Sequence, residues 1–284
     1  MITCVVPTIR PESMARFEEA WKPLFEKHGV RLITVWDGEH PKVEDESVES
    51  VMGEYADCIV NFNGGVRNLG FAYVAKYLHD ADVILTLDDD VTPIGDPIQD
   101  HLDALNRRVP ISWMSTASEF MRGFPYKVRE EAEVVLSHGV WEGVADWDAP
   151  TQLVKGPKRP VEFPKATIPK GIYFPMCIMN VAFKRKMLPY MYQAPPALGV
   201  GRADDIFCGI LAKQEIDKHE WAAVTGYARV HHERESDVYK NLQAEAKTIA
   251  LMETFWRGDV TDPYFRIYLH KLERWEEFIR QCQT

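Results

Sequence analysis

The stretch Val83-Ile-Leu-Thr-Leu-Asp-Asp-Asp90 decides the fold class, because an apolar run passes directly into neighbouring carboxylates. A short apolar run of this kind is typical of a buried strand. Adjacent acids repel one another, so a protein rarely gathers them without a cation. We therefore predict a buried strand whose carboxyl end carries a binding site.

Strands and helices alternate on the amino-terminal side of this stretch. Apolar runs predict strands over residues 2–6, 30–36 and 58–62. Helical spacing of apolar residues predicts helices over residues 12–27 and 70–78, with a kink or an end of the first helix near Pro23. This alternation predicts an α/β fold with a mainly parallel central sheet flanked by helices.

The carboxyl-terminal part continues with a predicted helix over residues 206–213 and a strand over residues 222–230. The tail after residue 242 has a helical pattern with one aromatic and leucine-rich side, formed by Trp256, Tyr264, Phe265, Tyr268, Leu269, Leu272, Trp275 and Phe278. We predict one catalytic domain over residues 1–242 and a helical extension over residues 243–284 packed on it.

Composition excludes several classes of protein. The 284 residues carry a formal net charge of −10, which argues against a nucleic-acid partner. No apolar run approaches the roughly 20 residues that span a bilayer. The five cysteines form no CxxC pair, so a zinc site or a disulfide framework is not expected. The start MITCVVPTIRP does not resemble a signal peptide, and we expect a cytoplasmic protein without a membrane span.

The acidic triplet is the strongest candidate site. Ligands of such sheets bind outside the carboxyl ends of the strands. Asp88, Asp89 and Asp90 are predicted to bind Mn²⁺ or Mg²⁺, because these hard cations prefer oxygen ligands and can be shared with phosphates. Side chains alternate along a strand, so Asp88 and Asp90 should face one way and Asp89 the other, toward a ribose hydroxyl or a basic group. The alternative is a solvated acidic turn.

Other polar residues follow predicted strand ends. Thr8 and Arg10 after the first strand, and Asp37 after the second, are candidates for contacts to a nucleotide. Asp37 would accept a hydrogen bond from a uracil imide or a ribose hydroxyl. Arg67, with two glycines nearby, is a candidate for bidentate phosphate binding. The alternatives are caps, turns and surface charges.

Acids and histidines late in the chain complete the candidate set. Asp204 and Asp205 precede a predicted helix, so Asp204 would cap it while Asp205 projects into the site as a base. His231 and His232 follow a predicted strand and point to opposite faces, so one of them would complete the metal shell. Which of the two does so stays open at this point.

Four segments of the sequence resemble one known family. They are Leu136-Ser-His-Gly-Val-Trp141, Asp146-Trp-Asp-Ala-Pro-Thr-Gln-Leu-Val-Lys155, Ile168-Pro-Lys-Gly-Ile-Tyr-Phe-Pro-Met-Cys-Ile-Met-Asn-Val-Ala-Phe183 and Gly201-Arg-Ala-Asp-Asp205. Together with residues 6–10, 35–38 and 87–90, they resemble the reversibly glycosylated polypeptides. This family is also called UDP-arabinopyranose mutases, or glycosyltransferase family 75. The resemblance covers roughly residues 2–242.

The resemblance implies a GT-A type nucleotide-sugar-binding fold, a DXD-like metal motif and a UDP-sugar substrate. Arg122 and Arg129 match arginines that the family needs for activity. A histidine of the family falls on His232 when its segment is aligned backward from Asn241-Leu242, but not when it is aligned forward from Tyr227. Lys170 and Asn180 lie in the third segment and are predicted to contact the nucleotide-sugar. Arg122, Arg129 or Lys170 would stabilise the leaving diphosphate.

Three functions remain open at this stage. The first is a mutase that interconverts pyranose and furanose forms of a UDP-sugar by breaking and remaking the anomeric C–O bond. The second is a glycosyltransferase or a self-glycosylating protein. The third is a scaffold that binds nucleotide-sugars without turnover. A homo-oligomer is compatible with each of them.

Overall fold

The computed structural model describes residues 1–114, 120, 122–144, 146–156, 165–233 and 237–283. Its strands are β1 (Ile2–Thr8), β2 (Val30–Trp36), β3 (Lys42–Val43), β4 (Glu46–Ser47), β5 (Val83–Leu87), β6 (Val91–Pro93), β7 (Arg108–Val109), β8 (Ala132–Gly143), β9 (Ala166–Ile168), β10 (Asn180–Lys184) and β11 (Ala222–His232). Its α-helices are α1 (Pro11–His28), α2 (Val48–Met52), α3 (Arg67–Tyr77), α4 (Pro97–Leu105), α5 (Ala149–Lys155), α6 (Asp204–Lys218), α7 (Val238–Phe255) and α8 (Pro263–Cys282). Short 3₁₀ turns include Gly53–Cys58 and Gly64–Val66.

The strands form a single sheet with the order β4-β3-β2-β1-β5-β10-β8-β11-β6, and β7 and β9 pair with β8 and β11. β1 pairs in parallel with β2 and β5, and β8 pairs in parallel with β11. β10 is antiparallel to both β5 and β8. As a result β1, β2, β5, β8 and β11 all run in the same direction. The predicted α/β class, with a mainly parallel central sheet, is confirmed.

Helices cover both faces of the sheet. α1 and α4 pack on one face, where the aromatic side chains of Phe17 and Trp21 are buried. α3, α6 and α8 pack on the other, around Phe71 and Phe183. Consecutive residues of β1 alternate between the two cores, as the pleat of a strand requires. Helices therefore cover both faces, which leaves the ends of the strands as the place where ligands of such sheets bind.

Two local predictions are wrong. Residues 58–62 do not form a strand: a 3₁₀ turn ends at Cys58, and Phe62 has a φ of 53°, a left-handed conformation that no strand accommodates. Pro23 does not end α1, which continues to His28. Pro23 lies on the exposed side of this helix, while the buried aromatic side holds the helix on the sheet.

The tail forms helices, as its pattern indicates. α8 buries the side chains of Tyr264, Phe265, Tyr268, Trp275 and Phe278. Trp256 is the exception to the predicted buried side, because it follows the last residue of α7 and is 55% exposed. Within the described part of the chain, no helix combines the length and the apolar character needed to cross a membrane.

Candidate active site

Several of the predicted site residues converge at the carboxyl edge of the sheet. Thr8 ends β1, Asp88 follows β5, and His232 ends β11. Because these strands run in one direction, their last residues lie along the same edge. Asp204, the first residue of α6, is brought to this edge as well, since its carboxyl group lies against Gly64.

Asp89 is buried, and its carboxylate connects the end of β5 to the end of β1 through hydrogen bonds. The Thr8 hydroxyl donates a 2.5 Å hydrogen bond to Asp89 Oδ2, and Arg10 Nε donates to the same oxygen at 3.2 Å. Arg10 Nη2 donates to Asp89 Oδ1. Both oxygens of this buried carboxylate thus accept hydrogen bonds from Thr8 and Arg10, and Asp89 faces the basic group that the alternation of side chains predicted as one of two partners.

Arg67 is buried beneath the acids, whereas the sequence indicates an arginine that is exposed and binds phosphate. Its side chain is 2% exposed and donates to Thr86 Oγ1, Asp88 Oδ1 and, at 3.4 Å, the carbonyl of Leu87. The Asp88 side chain remains 35% exposed. Arg67 therefore orients Asp88 and leaves the second carboxylate oxygen open toward solvent.

A carboxylate oxygen of Asp90 and a ring nitrogen of His232 face each other. His232 Nδ1 lies 2.9 Å from the carbonyl oxygen of Val144, which can only accept, so Nδ1 carries the hydrogen. In a neutral ring the Nε2 lone pair then points outward, and Nε2 lies 3.8 Å from Asp90 Oδ1. Burial, with the nearby Asp88 carboxylate, raises the pKa of Asp90.

This donor set fits a hard divalent cation. A metal-bound histidine commonly donates its other N–H to a carbonyl, as His232 does here. Asp88 and Asp90 add carboxylate oxygens, the ligands that Mg²⁺ and Mn²⁺ prefer. His231 is less suited, because it is exposed and lies 3.8 Å from the exposed Glu233. Of the two histidines, the geometry favours His232.

A second acidic group lies at the same edge. One potential ligand atom from each of Asp146, Cys177 and Asp205 lies within 4.8 Å of the others. Among the described residues, the acidic triplet and His232 are not gathered this closely, and the carboxylates of the triplet pair with Arg10 and Arg67. From the sequence, Cys177 reads as one of the small core cysteines, and Asp146 only as part of a segment that resembles the family.

Burial and neighbouring acids raise the pKa of two members of this group. Burial, reinforced by the carboxylates of Asp204 and Asp146, raises the pKa of Asp205 well above its usual range. Burial and the same acidic surroundings raise the pKa of the Cys177 thiol, which donates to Asp146 Oδ2 at 3.2 Å. A neutral thiol is a poor ligand for a hard cation. Because of its soft sulfur, the group is less suited to Mn²⁺ or Mg²⁺ than the oxygen and imidazole donors of Asp88, Asp90 and His232.

Local packing holds Asp205 beside Cys177. The N–H of Ile178 donates to Asp205 Oδ2 at 3.3 Å. Gly209, one turn further along α6, permits this approach, because a Cβ there would overlap Met176. The cap position of α6 is taken by Ala203, and Asp204 is the first helical residue instead of the predicted cap. Both acids therefore lie in the first turn, where the helix dipole favours negative charge.

Two of the predicted contacts lie elsewhere. Asn180 is buried in the sheet, donates to the carbonyls of Val140 and Ala228, and is bonded to the ring of His101 at 2.9 Å. All its polar atoms are engaged inside the protein. Lys170 pairs with Glu220, just before β11 begins, and so lies at the opposite edge of the sheet.

The two predicted arginines lie in the segment between β7 and the amino end of β8. The Arg129 guanidinium lies 4.2 Å from the ring centroid of Phe120 and 4.0 Å from that of Tyr126, and donates to the carbonyl of Phe124. β8 extends roughly 20 Å before it reaches the level of Thr86, at about 3.3 Å per residue. Arg122 is exposed in the same segment. Neither arginine contacts an acid of the site within the described ranges.

Comparison with known proteins shows the family of the chain. A model of the family described as "Reversibly glycosylated polypeptide" matches residues 1–261. The chain belongs to this family. It is 32% identical over 293 residues to "Probable UDP-arabinopyranose mutase 1" of Pisum sativum, with 92% of this chain and 76% of that protein covered. Identity and coverage are the same for "UDP-arabinopyranose mutase 3" of Arabidopsis thaliana. The family recognised from the sequence is confirmed.

Similar solved structures are more distant. A197 from STIV aligns with a TM-score of 0.41 and 10% identity, covering 82% of this chain and 86% of that one. The catalytic domain of Drosophila beta1,4galactosyltransferase 7 in complex with xylobiose aligns with a TM-score of 0.37 and 13% identity. This second alignment covers 79% of the present chain and 63% of the other.

Proposed function

We propose that this protein interconverts the pyranose and furanose forms of a UDP-sugar, with UDP-arabinopyranose as the first candidate. Its relatives are named UDP-arabinopyranose mutases, and an enzyme of the UDP-sugar mutase or glycosyltransferase class fits them. The observation that carries the proposal is the juxtaposition, at one sheet edge, of cation donors with the buried carboxyl group of Asp205, whose pKa is raised by burial.

Asp88, Asp90 and His232 would hold Mn²⁺ or Mg²⁺ in this proposal. When bound, the cation neutralises the diphosphate and makes UDP a better leaving group. Arg67 fixes the direction of Asp88, and Arg10 does the same for Asp90 at 3.0 Å. The donors are thereby ordered before a ligand arrives, which reduces the reorganisation needed during the reaction.

Asp205 is proposed to move the proton that the ring change requires. First the bond between C1 and the UDP oxygen breaks, and its electron pair stays on the diphosphate. The hydroxyl on C4 then bonds to C1 and gives its proton to Asp205. Finally the diphosphate oxygen bonds to C1 again, the bond from C1 to the former ring oxygen breaks, and that oxygen takes the proton back from Asp205.

A raised pKa suits this double role. A carboxyl group with an ordinary pKa near 4 would rarely return a proton at neutral pH. A carboxyl whose pKa lies nearer the working pH can act as a base and then as an acid. The buried position of Asp205 between Asp204 and Asp146 supplies that shift.

The second candidate is a glycosyltransferase, which would use the same residues. Asp205 would then take the proton from the hydroxyl of an acceptor, including a side chain of the protein itself. The contact between Asp205 and the N–H of Ile178 suits either role, because it fixes the carboxylate without removing its second oxygen from use.

Product analysis tests the proposal. The protein is incubated with UDP-arabinopyranose, UDP-glucose or UDP-galactose and Mn²⁺, and the products are separated chromatographically. A UDP-sugar with a changed ring size supports the mutase. UDP together with a glycosylated acceptor supports the transferase. Metal-dependent binding without turnover of any of these compounds would indicate a scaffold and would contradict both enzymatic proposals.

A further inference from the structure

Glu245 is a buried acid of α7, a helix that the sequence assigns mainly to the extension after residue 242. Its side chain is among the buried residues of this helix, and the residue is 6% exposed. Oε2 accepts a hydrogen bond from the N–H of Ala149 at 2.7 Å, and Oε1 accepts one from Nε of Arg202 at 2.9 Å. A charged side chain is rarely buried unless it is paired, so these two donors explain how the fold tolerates Glu245.

Both partners of Glu245 are close in sequence to the second acidic group. Ala149 is the first residue of α5 and follows Asp146 by three residues. Arg202 precedes Asp205 by three residues, in the loop that leads into α6, and its Nη2 lies 4.0 Å from Asp146 Oδ1. One buried carboxylate therefore joins the two segments that carry Asp146 and Asp205.

The chemistry of this connection favours a carboxylate. The first N–H groups of a helix have no partner within the helix, and a negative charge is favourable beside them. The guanidinium group of Arg202 is likewise only a donor. A glutamine at position 245 would offer one oxygen, and its NH₂ would face the second donor. Glu245→Gln therefore breaks one of the two hydrogen bonds while the size of the side chain stays the same.

The loop before α6 has a strained backbone that α7 holds in place. Leu198 and Arg202 each have a φ of 52°, in the left-handed region that such side chains rarely adopt. Besides the contact of Glu245, Lys247 donates to the carbonyl of Leu198 at 2.9 Å. Thr248, also in α7, donates to the carbonyl of Gly201 at 2.7 Å. Strained backbone persists only where its surroundings enforce it, so α7 fixes the conformation of this loop.

We propose that Glu245 is a positioning residue for the reaction, because it holds Asp146 and Asp205 at a fixed separation beside Cys177. The inference deepens the proposed function and rests on it, since Asp205 is the proposed proton carrier. The Cys177 thiol donates to Asp146 at 3.2 Å, so a shift of α5 or of the loop before α6 changes what surrounds Asp205. A displacement of about 1 Å in a group that takes part in a reaction can lower the rate about 10²-fold.

Steady-state kinetics of Glu245→Gln test this role, with a UDP-sugar that the unmodified protein converts and with saturating Mn²⁺. The kcat should fall about tenfold, because the proton carrier is displaced but not removed. The KM should stay within about twofold, since the cation donors Asp88, Asp90 and His232 are held by other residues. Arg202→Gln alters one of the two connections and leaves the other, so it should lower kcat about threefold.

Asp217 provides a matched control at the other end of α6. Its Oδ1 accepts a hydrogen bond from Nζ of Lys213 at 2.6 Å, and its Oδ2 accepts one from the N–H of Gly171 at 2.9 Å. Asp217 thus joins a basic side chain to a backbone N–H, as Glu245 does, but roughly 18 Å along the helix from Asp205. Asp217→Asn should lower the Tm about as much as Glu245→Gln does and leave kcat unchanged.

Alkylation of Cys177 by iodoacetamide gives a measurement that does not depend on turnover. The thiol donates to Asp146, and the thiolate is the form that reacts. In Glu245→Gln, Cys177 should react about tenfold faster, because release of α5 opens the site and moves a fixed carboxylate away from the thiol. In Asp217→Asn, Cys177 should react at the rate of the unmodified protein. Peptide mass spectrometry distinguishes Cys177 from the other cysteines.

The outcomes separate this inference from the proposed function. If the unmodified protein converts no UDP-sugar, both fail. If it converts one, but Glu245→Gln has the same kcat as Asp217→Asn, only the role of Glu245 is overturned. Equal alkylation of Cys177 in these two variants would overturn it as well, since the second acidic group would then be unmoved. Should Glu245→Gln fail to fold, the same two measurements on Arg202→Gln decide, and values equal to those of Asp217→Asn would overturn the role.

Discussion

Two groups of aspartates at the same sheet edge differ in what surrounds them. Asp88, Asp89 and Asp90 lie against the guanidinium groups of Arg67 and Arg10. Asp205 lies instead beside a neutral thiol, a backbone N–H and two further acids. The first group is paired with cations and oriented by them, whereas burial among further acids raises the pKa of Asp205. Identical side chains thus acquire different chemistry from their neighbours.

The largest effect is expected where the cation donors are changed. Asp90→Asn removes a carboxylate that faces His232, so turnover of the UDP-sugar should fall about 10³-fold, equivalent to about 4 kcal/mol. The measurement is kcat at saturating Mn²⁺. Asp45→Asn, an exposed acid in the turn between β3 and β4, is the control and should keep full activity. Equal kcat values for the two variants would remove Asp90 from the reaction.

The ion pair between Arg67 and Asp88 can be broken by replacing the buried arginine. Arg67→Met leaves Asp88 without its buried cation, and breaking such a pair destabilises a protein by about 3 kcal/mol. Urea unfolding of Arg67→Met, Asp88→Asn and the double variant measures the coupling between the two side chains. We expect the double variant to be more stable than the sum of the single changes implies; strict additivity would mean that the pair contributes nothing.

In the second group, Asp205 can be replaced by asparagine, which has a similar shape and no charge. Asp205→Asn should lower kcat about 10²-fold, because the proton carrier is lost. The same variant should be more stable than the unmodified protein at high pH. The folded pKa of Asp205 is raised, so the folded state disfavours the ionised form, and this penalty grows as pH rises from the unfolded value through the folded one.

Melting curves at two pH values check this sign. The gain in Tm of Asp205→Asn should be absent near about pH 4 and present near about pH 8, because the unfolded carboxyl titrates at about 3.9. A variant that is less stable than the unmodified protein at the higher pH would mean that Asp205 is held as a stabilised carboxylate, against the present account.

The smallest effect is expected at Cys177. Its thiol donates one hydrogen bond to Asp146, so Cys177→Ala should change stability by only about 1 kcal/mol and kcat by less than about threefold. Mn²⁺ affinity should not change. If Cys177→Ala abolished Mn²⁺ binding, the thiol would be a metal ligand and the two groups would have exchanged roles.

The sequence predicted the framework of the fold well for a physical reason. β2 and β5 have the predicted bounds, and α1 and α3 lie within a few residues of them. The spacing of apolar residues is a local signal, because it depends on which face of the strand or helix that contains them is buried. The direction of the strands then placed Thr8, Asp37 and Asp88 at one edge. Phe62 was assigned to a strand because its neighbours are apolar, although side-chain hydrogen bonds impose a left-handed turn there.

The sequence could not show which charges pair. Arg67 reads as an exposed phosphate ligand, but Thr86 and Asp88 hold it inside the protein. Cys177 reads as a core residue, yet it precedes β10, an antiparallel strand that begins where the parallel strands end. Residues that precede such a strand lie at the edge of the sheet that carries the candidate site. Their position can be inferred only once the order of the strands in the sheet is known. Arg129, expected at the site, is held between aromatic rings of its own segment.

The division of labour between the two acidic groups is tested most directly by Mn²⁺ titration of the unmodified protein, Asp90→Asn and Asp205→Asn, followed calorimetrically in the presence of UDP. We predict that Asp90→Asn loses Mn²⁺ binding and that Asp205→Asn retains it. Retention by Asp90→Asn together with loss by Asp205→Asn would place the cation among Asp146, Cys177 and Asp205, and would contradict the account.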